Sequence, residues 1–177
     1  MNLLKISQRT GFTLLEIMLV LVIVIMIGSA LTMSMSSGRK TWASADTQIS
    51  IQQDLRQAMM QITKDLRDSG EHHISCPPDG NPCTSVSFNV PEGFSVGNET
   101  GSIVWSDDIT YSISSGQIIR HNGTDTLVLA NNVTAMTFVR DPTIPSRMVK
   151  ITLSAQRETI FGNLLNATLV SAVQLRN

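Results

Sequence analysis

Cys76 and Cys83 enclose the loop Cys-Pro-Pro-Asp-Gly-Asn-Pro-Cys, and His72 and His73 stand just before it. Two sulfurs and two imidazoles are the ligand types of a tetrahedral zinc site, so zinc binding and a disulfide are both chemically open to this segment. The spacing argues against zinc, because adjacent histidines seldom reach one ion together and the pattern matches no ordinary zinc motif. No metal ligand is assigned. Covalent haem attachment has no support, since Cys-x-x-Cys-His is absent. Asp107, Asp108 and Glu99 offer carboxylates, but they lack the dense alternating oxygen ligands of a calcium loop and read as a solvated turn. Serine, aspartate and histidine occur without a Gly-x-Ser-x-Gly elbow or a His-Glu-x-x-His helix, so no catalytic residue and no cofactor are assigned. Asn98, Asn122, Asn132 and Asn166 each open an Asn-x-Thr triplet, and these read as chance matches to the glycosylation pattern.

One further residue has chemistry out of place. Glu16 stands immediately ahead of Ile17–Ile27, an unbroken apolar run, and residues 17–38 carry no charge at all. The whole chain has 177 residues with 15% charged and 42% hydrophobic. Charge is scarcer than the ~25% of ordinary globular chains, and the shortfall is concentrated in this segment. The remainder is a fairly polar globular sequence, which excludes disorder and a multi-span transporter. A net charge of -1, with no basic and aromatic-interleaved patch, gives no reason to expect nucleic acid as a partner.

Residues 17–38 would cover ~33 Å as a helix, slightly more than the ~30 Å hydrocarbon core of a bilayer. One membrane span is therefore expected, with the rest of the chain in water on one side. A secretory signal peptide is the first rival, with Lys5 and Arg9 as its basic region and Ser29-Ala30 near a cleavage point. The uncharged segment 17–38 is longer than such a signal needs, and Glu16 puts a carboxylate where its apolar part should begin. Lys5 and Arg9 precede the span while Arg39 and Lys40 follow it, so positive charge only weakly favours a cytoplasmic N-terminus.

The segment Arg9-Thr10-Gly11-Phe12-Thr13-Leu14-Leu15-Glu16, followed directly by the apolar run, resembles the prepilin processing site of type IV pilins and type II secretion pseudopilins. The resemblance implies removal of a basic leader, residues 1–11, by prepilin peptidase between Gly11 and Phe12, and N-methylation of the new Phe12 amine. Gly11 lacks a side chain, which leaves the scissile peptide accessible at the membrane surface. Glu16 then lies one helical turn beyond a free amine. A carboxylate at membrane depth costs ~2.5 kcal/mol or more unless it is paired. The family's solution is the Phe12 amine of a neighbouring subunit, which registers an incoming protomer. The competing readings are that Glu16 snorkels to the headgroups or complements its own helix dipole.

Beyond the span, Trp42, Ala45, Ile49, Leu55, Met59, Ile62 and Leu66 recur mostly at helical spacing, so the sequence predicts an amphipathic helix that stops at Ser69-Gly70. No proline interrupts residues 12–69, which allows one helix of ~87 Å. The next segments alternate as strands: Val86–Val90, Ile103–Trp105, Ile109–Ser114, Gln117–His121, Thr126–Ala130, Val133–Val139, Met148–Ala155 and Leu164–Leu175. Ser115-Gly116, Asn122-Gly123 and Asn131-Asn132 read as turns, and Asp141-Pro142 with Ile144-Pro145 as a break.

The expected fold is thus α+β and pilin-like: a long N-terminal helix packed by its amphipathic half on an antiparallel β head. The stretch from Ile109 to Phe138 and the closing Leu175-Arg176-Asn177 resemble the C-terminal half of J-type minor pseudopilins and the related W-type minor pilins. Four segments follow from this: a leader at 1–11, a transmembrane or filament-core helix at 12–38, an amphipathic helix at 39–70 and a β-rich head at 71–177. The resemblance implies a non-enzymatic subunit of a pseudopilus or pilus, in a tip or priming complex. Its partners would be prepilin peptidase, other minor and major pilins or pseudopilins, an inner-membrane assembly platform and lipid. The head would sit in the periplasm, or on a filament after assembly. An exported head meets an oxidising compartment, which makes a Cys76–Cys83 disulfide the expected state. The alternative is a periplasmic enzyme or ligand-binding domain tethered by an uncleaved anchor.

Overall fold

A computed structural model of the chain describes residues 13–70, 73–76, 80–95, 102–140 and 148–175. The expected leader and the Gly11–Phe12 junction lie outside the described residues, as do His72, Asn98, Glu99 and the two Xaa-Pro breaks. Among the described residues a single helix, α1 (Leu14–Asp68), precedes the strands β1 (Val86–Phe88), β2 (Pro91–Ser95), β3 (Ser102–Trp105), β4 (Ile109–Ser114), β5 (Gln117–Asn122), β6 (Asp125–Ala130), β7 (Val133–Arg140), β8 (Met148–Glu158) and β9 (Leu164–Gln174). This is the α+β class that the sequence predicts. The chain divides into two compact units, one ending at Trp42 and one beginning at Ala43.

In the first unit α1 buries nothing: every residue from 14 to 37 is exposed. In the second unit α1 buries Ile51, Leu55, Ala58, Met59, Ile62, Asp65 and Leu66. Ile51, Leu55, Ala58, Ile62 and Asp65 follow alternate steps of four and three, the spacing of one helix face. This corrects the expected stripe. Trp42 is 79% and Ile49 55% exposed, and Ala45 is exposed as well. Ile49 precedes Ile51 by two residues, which rotates it ~200° around the helix, so the face that buries Ile51 turns Ile49 outward.

All strand pairs are antiparallel, in three sheets of order β1-β4-β5-β6, β2-β3 and β7-β8-β9. Turn chemistry sets the tight connections. Ser115 (φ 51°) and Gly116 (φ 73°) both take the left-handed conformation that a two-residue hairpin turn matched to strand twist requires, and they join β4 to β5. The sequence reading missed β2, whose Pro91 opens a strand in a two-stranded sheet, a position where a missing N–H is tolerated. One continuous core joins the helix stripe to Val86, Phe88, Tyr111 and Ile118 of the four-stranded sheet and to Phe138, Ile151 and Leu153 of the three-stranded sheet. Each such side chain contributes about 1.5–3 kcal/mol by leaving water.

Polar contacts fix how the helix sits on each sheet. Asp65, 8% exposed, accepts from Tyr111 Oη at 2.7 Å and from Arg120 Nε at 2.8 Å through one carboxylate oxygen. Its other oxygen accepts from Gln61 Nε2, one turn earlier, at 3.0 Å. Toward the three-stranded sheet, Arg157 of β8 donates to Ser50 Oγ at 2.8 Å and to Asp54 Oδ2 at 2.9 Å. Burial raises the Tyr111 phenol well above the ordinary tyrosine range, and the hydrogen bond to Asp65 and its charge push the same way, with Arg120 offsetting part. Burial lowers the Arg120 guanidinium, but Asp65 more than reverses that, so its net shift is upward.

Replacing Asp65 with Ala would strand a guanidinium and a phenol in a site where the Arg120 and Asp65 side chains are only 19% and 10% exposed. The expected loss is about 3 kcal/mol, the lower end of the range for broken buried pairs. Urea unfolding of the full chain in detergent measures it, and a loss below about 1 kcal/mol would show that water takes over the role of Asp65.

The folded state holds Tyr111 neutral, so its contribution to stability is complete below the ordinary value of 10.0 and declines as pH rises past it. Tyr111 is the chain's one tyrosine. Tyrosinate absorbance is therefore expected to appear only together with the loss of far-ultraviolet β signal. Ionisation near the ordinary value in a still-folded head would contradict the buried hydrogen bond.

Candidate functional site

Two places carry the residues singled out from the sequence: the start of α1 and the cysteine loop. At the first, the backbone N–H of Glu16 donates to Thr13 Oγ1 at 3.3 Å and that of Ile17 to the Thr13 carbonyl at 3.2 Å. Thr13 is the N-cap of α1, with Glu16 in its first turn. Thr-x-x-Glu ahead of an apolar run is the capping-box pattern, a signal that the sequence reading did not use and that would have found Thr13. A carboxylate in a first turn meets the positive end of the helix dipole, worth about 0.3–1 kcal/mol. Phe12 and Gly11 lie outside the described residues, so Glu16 alone represents the expected processing and assembly set.

Beyond Glu16, α1 is long and apolar enough to cross a membrane. Its hydroxyls suit such a setting. Ser29 Oγ donates to the Met26 carbonyl at 2.8 Å, Thr32 Oγ1 to Ser29 at 2.8 Å and Ser36 Oγ to Met33 at 2.9 Å. Each hydroxyl thus satisfies its donor inside its own helix, which removes most of the penalty for taking it out of water. The segment's large apolar side chains are mostly about half exposed or more: Leu19 is 55%, Ile25 67% and Leu31 65%.

At the second place Cys76 and Cys83 form a disulfide with Cα atoms 6.1 Å apart, inside the ordinary range for such a bond. The bond closes more than its own loop. Ser75 donates its N–H to the Ser87 carbonyl at 2.8 Å, and Ile74 pairs with Phe88, which covers the outer edge of β1. Cys83 exchanges two backbone hydrogen bonds of 2.8 Å with Phe138 of β7. The disulfide therefore ties the edge of the four-stranded sheet to the edge of the three-stranded one. Arg140, 5% exposed, supports the loop by donating to the Cys76 carbonyl at 3.0 Å, while its own carbonyl accepts from Gly80 at 3.1 Å.

With both sulfurs in the disulfide, neither is a thiolate ligand. The His73 ring stacks on Trp105 with centroids 3.8 Å apart. Gly70 permits this packing, since a Cβ there would lie 3.2 Å from the indole. Among the described residues no group of three or more His, Cys, Asp and Glu side chains is placed to hold a metal ion. Asp108 accepts from Asn89 Nδ2 at 2.7 Å, which gives it a structural role at the turn. Asp65, Asp54 and Arg157, which the sequence reading did not single out, form ion pairs between α1 and the strands. Asp65 has a recoverable signal, because it continues the four-three spacing of the buried stripe.

In comparisons with known proteins, the chain matches no family model, no curated protein and no solved structure.

Reduction of the disulfide is expected to lower the stability of the head by about 2–3 kcal/mol, the loop-entropy value for a ring of this size. Urea midpoints with and without dithiothreitol measure it, with Cys83→Ser as a second route. An unchanged midpoint in both would mean that the Cys83–Phe138 pairing holds the seam unaided.

Proposed function

We propose that the chain is a non-enzymatic, membrane-anchored filament subunit: a minor pilin or pseudopilin precursor, similar to the J-type and W-type minor subunits. The observation that carries this reading is the first half of α1, uncharged from 17 to 38, exposed from 14 to 37 and headed by a carboxylate in its first turn. Such a surface has no stable state in water. It needs lipid or other helices, and a subunit that passes from bilayer to filament uses both in turn.

On this reading, prepilin peptidase hydrolyses the Gly11–Phe12 amide, leaving Phe12 as a new terminal amine that is then methylated. In the membrane, residues 17–38 span the hydrocarbon and the head stays on the periplasmic side. During assembly the amine of one subunit meets Glu16 of another, and Phe12–Met35 enters the helical core of the filament. An inner-membrane platform and other minor and major subunits complete the assembly. The disulfide, expected for an oxidising compartment and present in the head, supports export.

Intact-mass measurement of the membrane form tests the processing step: loss of residues 1–11 plus the mass of a methyl group is expected. A chain still starting at Met1 in a host with active prepilin peptidase would overturn the reading in favour of a tethered domain. Glu16→Gln keeps a capping-box residue without the charge. It is expected to spare insertion and processing and to reduce filament incorporation at least about tenfold, whereas wild-type incorporation would remove Glu16 from the mechanism.

A further inference from the structure

Among the described residues one long sheet edge, that of β9, is undefended. Long exposed edges invite another strand, and proteins blunt them with charges, proline, bulges or covering segments. The edge of β1 is covered by Ile74 and that of β7 by Cys83. The edge strand β6 opens on Asp125 and pairs with β5 through an irregular register. β9 has none of these devices. Its eleven residues, Leu-Leu-Asn-Ala-Thr-Leu-Val-Ser-Ala-Val-Gln, carry no charge and no proline, and they pair with β8 without a register break. Among the described residues nothing pairs with its outer side.

A cleft lies against that same edge. Ser171 of β9 and Met59, Met60, Thr63, Lys64, Arg67 and Asp68 of α1 line a space of about 430 Å³. Thr63 Oγ1 is buried there with no hydrogen-bond partner among the described residues. Among the described residues Lys64, Arg67 and Asp68 make no ion pair, and the described lining of the cleft holds two cations and one carboxylate. Met60 is 67% exposed and supplies an adaptable apolar wall.

We propose that the edge of β9 accepts an extended strand from a different protein chain, apolar at alternate positions and bearing a carboxylate that enters the cleft to meet Lys64 and Arg67. Main-chain hydrogen bonds to β9 supply affinity, and the cleft supplies selectivity. A second copy of this chain is the poorer occupant, because its uncharged β9 brings nothing to match the two cations. The site lies wholly in the second unit and does not depend on Glu16 or on the Gly11–Phe12 junction.

The test uses the full chain in detergent micelles and two synthetic peptides that alternate valine with threonine, one carrying glutamates and the other lysines at the same places. The glutamate peptide is expected to slow amide exchange across residues 164–174 about tenfold and to bind at least about tenfold more tightly than the lysine peptide. The double variant Lys64→Glu, Arg67→Glu should reverse that preference. Absence of β9 protection at millimolar peptide, or equal binding of the two peptides to the unaltered chain, would overturn the proposal without needing the variant. Protection of β9 that grows with protein concentration in the absence of peptide would replace it with self-pairing. Displacement of the glutamate peptide by free glutamate, with β9 never protected, would reduce the cleft to a small-anion site.

Discussion

A carboxylate held away from water at the helix–sheet boundary is the constraint on which the head depends. Asp65 is stable there only because three donors converge on it, two from neighbouring strands and one from its own helix. Such a group is intolerant of rotation: turning α1 by one residue would expose the carboxylate and strand Arg120 and Tyr111. Hydrophobic contacts are not directional in this way, so Leu55 and Ile62 supply most of the attraction while Asp65 sets the angle. The Arg157 contacts with Ser50 and Asp54 repeat the device on the other sheet about three turns earlier. With α1 fixed at both points, the two sheets are held to one helix, and the cysteine loop joins their edges at the seam.

The fixed angle also decides what faces outward. Trp42, Ala45, Ile49 and Met60 are all exposed, and Ile49 and Met60 lie opposite the buried stripe. The sequence reading put the first three of them on one apolar stripe for an understandable reason: apolar residues at helical spacing do mark a buried face. Two such faces on one helix produce overlapping periodicities, and spacing alone does not say which is covered by the chain's own head. Asp65 was passed over because a lone charge on a helix reads as solvated; only three-dimensional neighbours reveal its partners.

Strand boundaries were more legible, since their signals are local. The Ser115-Gly116 turn needs two left-handed residues, and the observed φ values supply them. The alternation of Val149, Ile151 and Leu153 marks a strand with one buried face, and all three are buried. β2 was illegible because Pro91 and Gly93 are turn formers, and the strand exists through its pairing with β3. The disulfide was legible as an expectation tied to export. That it joins two sheet edges was not, because the partners of Ser75 and Cys83 are distant in sequence.

The magnitudes at Glu16 separate its two candidate roles. Complementing its own helix dipole yields about 0.3–1 kcal/mol, whereas a carboxylate at membrane depth costs ~2.5 kcal/mol or more. Capping alone therefore does not hold Glu16 inside hydrocarbon. The uncharged segment exceeds the ~30 Å hydrocarbon core by roughly 3 Å, enough to leave Glu16 at the headgroup boundary while the chain is an anchor. That escape depends on headgroups and water. If the same segment packs into a filament core, as proposed, the escape is lost and the carboxylate requires a cation. No Lys or Arg occurs from 17 to 38, so the cation must come from outside the span. On the proposed reading the Phe12 amine of the next subunit meets that need, and charge neutralisation would then be coupled to addition of a protomer.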